Sequence, residues 1–248
     1  MKKAGAKSLP ERLEGREGAL LLAILAALGA LYYIHVFDMK LLPGDEGVAL
    51  MNGWRLSMGE VPHRDFFVIV PPVSFLPTAA AFKLFGPSVA AGRTLAFLMA
   101  IALVLLVDLL VRKFGGGFFM RLLSLSVLVP YGVSYWPIPS HHWWADIFCL
   151  LSAVLLVSAL DASSAGPVRR TRAISLFAGI SAALAALSLQ DQGAYFILLV
   201  SGFLAWRSFA PGGAAEEKAS CRGVLGFAAA GVLLTVIPFA GWLLWKAG

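Results

Sequence analysis

The sequence predicts an all-α, polytopic membrane protein, and three observations carry that reading. Hydrophobic residues make up 59% of the chain and charged residues only 14%, against roughly 45–50% and about 25% in ordinary soluble domains. The mean hydropathy is +0.82. Apolar runs near the ~20 residues needed to cross a bilayer recur along the chain. A sequence this apolar cannot cover its hydrophobic surface with its own polar groups, which argues against a soluble domain. The same composition excludes disorder. The 248 residues carry a net charge of +6. In a soluble protein that charge would suggest nucleic acid. Here the positive residues are first a matter of membrane topology, and no nucleic-acid partner is expected. Cys149 and Cys221 form no CxxC spacing or disulfide framework and read as free thiols.

About seven spans follow from the apolar runs: Ala19–Phe37, Val89–Val111, Phe118–Tyr135, His142–Leu160, Ala173–Leu189, Gly193–Arg207 and Gly223–Trp245. Residues 1–18 form a basic cytoplasmic tail, and 19–248 form the membrane module. The first run exceeds the ~7–15 residue core of a signal peptide, so it reads as an uncleaved span. Val73–Phe85 is apolar but has only 13 residues and contains Pro77, too short for a ~30 Å hydrocarbon core. Charge placement arbitrates. If this segment does not cross, Arg112, Lys113, Arg121, Arg169, Arg170, Arg172, Arg207, Lys218 and Arg222 share the cytoplasmic side with the basic tail. If it crosses, the same clusters face outward, against the positive-inside rule. Val73–Phe85 is therefore expected to be an interfacial or re-entrant helix within an outer loop, 38–88. Ala162–Arg172 and Ser208–Lys218 read as short cytoplasmic loops. No internal repeat is evident, so the inverted-repeat signature of many transporters is not seen.

The outer loop holds the most informative chemistry. Asp45 and Glu46 follow Pro43-Gly44 at a helix start, where acids serve as caps or first-turn residues. A carboxylate at that position can equally act as a general base toward a hydroxyl nucleophile. Leu50, Trp54 and Met58 recur at i, i+4, i+8, which predicts an apolar helical stripe, and Gly59 ends the helix. Arg64 and Asp65 follow. A second outward segment offers His141, His142 and Asp146, with Trp136, Trp143 and Trp144 as an interfacial aromatic belt. The HHxxxD spacing is not a specific metal signature, which leaves a divalent cation open. The Gln190-Asp191-Gln192 turn falls on the same side. Arg93, at the outer start of its span, can anchor at lipid headgroups or donate a bidentate pair of hydrogen bonds to phosphate. Asp108 lies one helical turn from Arg112 and is expected to pair there or snorkel.

An ordered set of elements over about fifty residues resembles the C-type (GT-C) superfamily of integral membrane glycosyltransferases. The likeness is to the branch of protein O-mannosyltransferases and lipid A aminoarabinose transferases. The elements are Asp45-Glu46, Gly59-Glu60, Arg64-Asp65-Phe66, Pro71-Pro72, Lys83-Leu84-Phe85-Gly86 and Arg93. A weaker likeness runs to about residue 207. The resemblance implies a seven-span module with two outer-loop helices, a polyprenyl-phosphate-linked sugar donor, and Asp45 as the catalytic base. The sequence departs from the pattern in two places. Leu189-Gln190-Asp191 stands where these enzymes often carry a lysine near the outer end of the fifth span. Val48 and Ala49 replace aromatics that often follow the Asp-Glu pair.

The expected activity is transfer of a sugar from a lipid-phosphate carrier to a lipid, glycan or protein acceptor at the outer membrane face. Asp45 would be the base. Glu46, Arg64, Asp65, Arg93, His141, His142 and Asp146 would support it by binding donor, acceptor or leaving phosphate. No cofactor is required by the sequence. The expected setting is a bacterial inner or plasma membrane with the N-terminus cytoplasmic. Two other readings stand beside this one: a non-catalytic or truncated subunit of the same type, and a lipid-linked sugar transporter. The chain is about the size of the seven-span module alone, so an acceptor-binding C-terminal half is expected to be either absent or supplied by a partner chain.

Overall fold

The computed structural model describes residues 44–129, 137–165, 167–211 and 214–247, preceded by 18, 21, 23, 24, 26, 27, 29 and 30. Residues 1–17 of the predicted tail, most of the predicted first span, and the end of the predicted third span with Trp136 lie outside these residues. Among the described residues the fold is helical, with no strand. The elements are α1 (Asp45–Ser57), a 3-10 turn (Pro72–Phe75) leading into α2 (Leu76–Phe85), α3 (Val89–Lys113), α4 (Phe118–Leu128), α5 (His141–Ala165), α6 (Val168–Ala186), α7 (Gln190–Phe209) and α8 (Ala215–Ala247).

Local chemistry sets several of these ends. The Ser88 hydroxyl accepts the Ala91 N–H at 3.1 Å and caps α3. The Ser140 hydroxyl accepts the His142 N–H at 3.2 Å at the start of α5. Each satisfies a donor that a helix N-terminus would leave orphaned. Gly59 and Gly86, at φ 90° and 82°, turn the chain out of α1 and α2 through a conformation that β-carbons oppose.

Three helical segments, Val89–Lys113, His141–Ser163 and Ala215–Lys246, are long and apolar enough to cross a membrane. Pro72–Phe85 is a shorter apolar segment. Its helix α2 has 10 residues, a length of about 15 Å, or half a hydrocarbon core. At 19 and 20 residues, α6 and α7 reach about 30 Å each. Both open on polar turns, with Arg169, Arg170 and Arg172 on α6 and Gln190, Asp191 and Gln192 on α7. The loops predicted at Ala162–Arg172 and Ser208–Lys218 prove much shorter. Helix α5 runs to Ala165 and α6 resumes at Val168, while α7 runs to Phe209 and α8 starts at Ala215. Hydropathy marks where a span leaves oil, but backbone hydrogen bonding carries each helix on into the polar zone.

The helices alternate in direction and give the bundle two chemically distinct ends. One end holds α1, α2 and the starts of α3, α5 and α7. Helix α8 finishes there, where the Lys246 carbonyl accepts a hydrogen bond from Arg64 Nη1 at 3.3 Å. The other end gathers basic residues. Arg121 Nε and Arg112 Nε pair with the two oxygens of Asp108 at 2.6 and 2.8 Å. Lys113 lies 3.6 Å from Asp161, and Arg207 pairs with Glu217. The Asp108–Arg112 pair matches the sequence expectation; the buried Arg121 partner adds to it.

Two apolar cores lie between these ends. Met99, Leu103 and Val104 of α3 meet Leu125 of α4 and Ile147 of α5, with Leu21 and Ile24 packed alongside. Leu156, Ala178, Leu204 and Val224 join α5 through α8. Small residues bring α6 unusually close to its neighbours. A β-carbon on Gly179 would fall 1.8 Å from the Ala228 carbonyl oxygen, and one on Gly231 would fall 2.2 Å from that of Leu176. The Ser152 hydroxyl donates to the Ala178 carbonyl and the Ser181 hydroxyl to that of Phe148, each at 2.9 Å. Backbone proximity and interhelical hydrogen bonds are what drive helix association in lipid, where burial of apolar surface contributes little.

The Gly179→Ala variant is expected to force α6 and α8 apart and lose about 1–3 kcal/mol. Its thermal midpoint in detergent should drop, while Gly226→Ala, whose β-carbon meets nothing within 4 Å, should leave the midpoint unchanged or higher.

Candidate active site

The Asp45-Glu46 pair sits in the first turn of α1, with Gly44 as the capping residue and no side-chain cap hydrogen bond. The acids are therefore first-turn residues and not caps. Successive helix positions point about 100° apart, and the two carboxylates part company. Glu46 turns inward and is 1% exposed. Arg93, 2% exposed, donates to both its oxygens, through Nε at 2.9 Å and Nη2 at 3.2 Å. Asp45 faces outward. Among the described residues its carboxylate has no hydrogen-bond partner.

The face that α1 buries is Glu46, Ala49 and Gly53, and the apolar stripe of Leu50, Trp54 and Met58 lies beside it. Trp54 and Met58 are exposed, and Leu50 covers Gly92 of α3. Close approach explains the difference. A β-carbon on Gly53 would lie 2.4 Å from Thr78 Cγ2 on α2, so small residues line the contact and large ones turn away. Beyond α1 the chain folds through a tight turn at residues 63–65, where the Asp65 N–H donates to the Val61 carbonyl at 2.9 Å and the His63 N–H to that of Phe66 at 2.8 Å. Phe66 and Val68 pack under Leu56 and Phe75, whereas Phe67 and Ile69 are each 80% exposed.

Arg64 and Asp65 form a local ion pair, with Nε to Oδ1 at 2.9 Å and Nη2 to Oδ2 at 2.8 Å. The Val61 N–H also donates to Asp65 Oδ2 at 2.7 Å. Together the guanidinium and this N–H hold the Asp65 carboxyl down to about 2. Arg55 pairs with Glu60 at 2.6 Å and lies over the Phe66 ring at 4.7 Å. The loop thus neutralises most of its own charge.

The second polar segment comes to the same end of the bundle. His141 and His142 open α5 with ring centroids 4.3 Å apart. His141 lies within electrostatic range of Asp45 and Asp191, and Asp146 within range of His142. Gln192 Nε2 donates to Asp146 Oδ1 at 2.5 Å, and Asp191 Oδ1 accepts the Gln192 N–H at 2.8 Å. The fold thus gathers Asp45, His141, His142, Asp146, Asp191 and Gln192 from the starts of α1, α5 and α7. Gln192 was absent from the sequence-derived set. Only its position at an outer turn hinted at it. Arg93 and Glu46 are spent on each other, and Arg64 on Asp65. No set of three or more His, Cys, Asp or Glu side chains among the described residues could hold a metal ion. Both cysteines are free thiols, with Cys221 buried.

The arrangement offers an exposed carboxylate acceptor beside two imidazoles, backed by an amide-anchored carboxylate. That is a workable set for moving a proton and for hydrogen bonding to an anion. No protein family, curated protein or solved structure matches the chain.

Two outcomes are expected from this geometry. Glu46→Gln should cost about 3–5 kcal/mol by removing the carboxylate that neutralises a buried guanidinium, and pairing it with Arg93→Met should recover much of that loss; thermal unfolding of the three proteins measures it. Asp65 should titrate near 2 by carboxyl-carbon NMR, moving toward the ordinary ~3.9 in Arg64→Gln. Because the folded value is depressed, the anchoring by Asp65 is complete above about pH 4 and is lost as pH falls through about 2.

Proposed function

We propose that the chain is a membrane glycosyltransferase module that moves a sugar from a polyprenyl-phosphate carrier to an acceptor at the outer face. The observation that carries this reading is the division of labour at Asp45-Glu46. Glu46 is buried and bound to Arg93, which leaves Asp45 presented outward within range of His141. Asp45 takes the proton from an acceptor hydroxyl or amine. The acceptor atom bonds to the anomeric carbon as the bond from that carbon to the carrier's phosphate oxygen breaks. The electron pair leaves with the polyprenyl phosphate, whose charge is met by hydrogen-bond donors on His141 and His142. Gln192 acts as a positioning residue, holding Asp146 beside His142.

The topology that goes with this reading has seven spans and a cytoplasmic N-terminus. Its support is electrostatic. Arg112, Lys113, Arg121, Arg169, Arg170, Arg172 and Arg207 gather at the end of the bundle opposite Asp45, as the positive-inside rule requires. Val73–Phe85 then lies at the outer interface. The non-catalytic reading draws on one observation: Arg64 and Arg93, the two arginines suited to phosphate, are both engaged by carboxylates.

Asp45→Asn should lower transfer of labelled sugar from a panel of polyprenyl-phosphate sugars by about 10²–10⁴-fold in membranes. Its thermal midpoint should be unchanged, because Asp45 is exposed. Undiminished transfer would overturn the base assignment, and no transfer by the wild-type chain would favour the non-catalytic reading.

A further inference from the structure

A cleft of about 350 Å³ lies well away from the Asp45 cluster, between the far end of α1, helix α2 and the last turns of α8. Leu56, Val61, Leu76 and Trp242 supply its apolar walls, and Lys83 and Lys246 bring positive charge. It is separated from Asp45 by the length of α1, whose 13 residues span about 19 Å.

The charge balance of this cleft is uneven. Glu60, which also lines it, is committed to Arg55, and the adjacent Arg64 is committed to Asp65. Among the described residues no carboxylate lies within ion-pair distance of Lys83 or Lys246. Arg64 ties the loop to the Lys246 carbonyl, and two lysines from different helices, α2 and α8, line the one cleft. The ammonium of Lys246 sits 4.3 Å from the centroid of the Trp245 ring. Leu76 and Trp242, which line the cleft with Lys83, are themselves partly open to the surface at 42% and 37% exposed, so apolar surface continues out from the charged mouth.

We infer that this cleft holds the headgroup phosphate of an anionic membrane lipid between Lys83 and Lys246, with the first part of its acyl chain against Leu76 and Trp242. Paired cations above apolar walls match an amphiphilic anion and not a free one. The end of a membrane-length helix bearing Trp242 and Trp245 is the depth at which headgroups lie. The inference rests on α8 spanning the bilayer, and it is independent of sugar transfer.

The test is native mass spectrometry of the full chain released from nanodiscs made with phosphatidylglycerol or with phosphatidylcholine of matched chains. The wild-type chain is expected to retain phosphatidylglycerol preferentially. Lys83→Gln and Lys246→Gln should each lower that retention roughly fivefold at low salt, and Lys83→Arg should preserve it. Equal thermal midpoints in phosphatidylcholine would show that the variants remain folded. Equal retention of both lipids, or a preference that survives in the double glutamine variant, would overturn the inference. Displacement of the lipid by millimolar inorganic phosphate would also overturn it, by identifying a free-anion site. Failure of the chain to enter nanodiscs at all would overturn the spanning reading and the inference together.

Discussion

The buried pair of Glu46 and Arg93 is the constraint around which the candidate site is arranged. Each ion loses its water, at a cost of several kcal/mol, and only close, bidentate geometry offsets that cost. Two parallel contacts at 2.9 and 3.2 Å meet the requirement, and they require the first turns of α1 and α3 to lie side by side. Leu50 on Gly92 sits along this α1–α3 seam, while Gly53 on Thr78 brings α1 close to α2. The segment is thereby docked on the bundle at two helices. The same rotation that sends Glu46 inward sends Asp45 outward, so one ion pair accounts for both the burial of one acid and the exposure of its neighbour.

The opposite end repeats the device with the signs arranged differently. A single buried carboxylate, Asp108, receives Arg121 at 2.6 Å and Arg112 at 2.8 Å, tying α3 to α4. Between the ends the helices are held by contacts that carry no charge. Gly179 and Gly231 let the α6 and α8 backbones approach, and serine hydroxyls bond across α5 and α6. This distribution fits lipid as a solvent. Apolar side chains gain little by leaving lipid for one another, so dispersion contact, hydrogen bonds and occasional buried ion pairs must specify which helix meets which.

Much of this was legible along the chain. Apolar run length and basic clustering predicted a helical bundle whose outward loop and whose arginine-rich turns lie at opposite ends. Gly59 marked a helix end, and Asp108 and Arg112, four residues apart, were bound to meet if the helix formed. The stripe of large apolar residues did not reveal which face of α1 is buried. In a helix docked tightly against two others, the contact belongs to Ala49 and Gly53, and Trp54 and Met58 point away. Arg93 and Arg64 looked equally available for phosphate because sequence carries no record of partners forty-seven or one residues away being at the right angle.

The sequence by itself determined the class of the protein, the chemistry at each end of the bundle and the residues from which a site could be built. Those properties follow from composition, period and charge, which are local. Only the tertiary structure decided which of those residues act on one another. It spent Glu46 on Arg93, left Asp45 exposed, brought Gln192 from a distant turn to Asp146, and brought Lys83 and Lys246 into the lining of one cleft. Such pairings depend on helix rotation and crossing distance, which are fixed by packing between segments far apart in the chain.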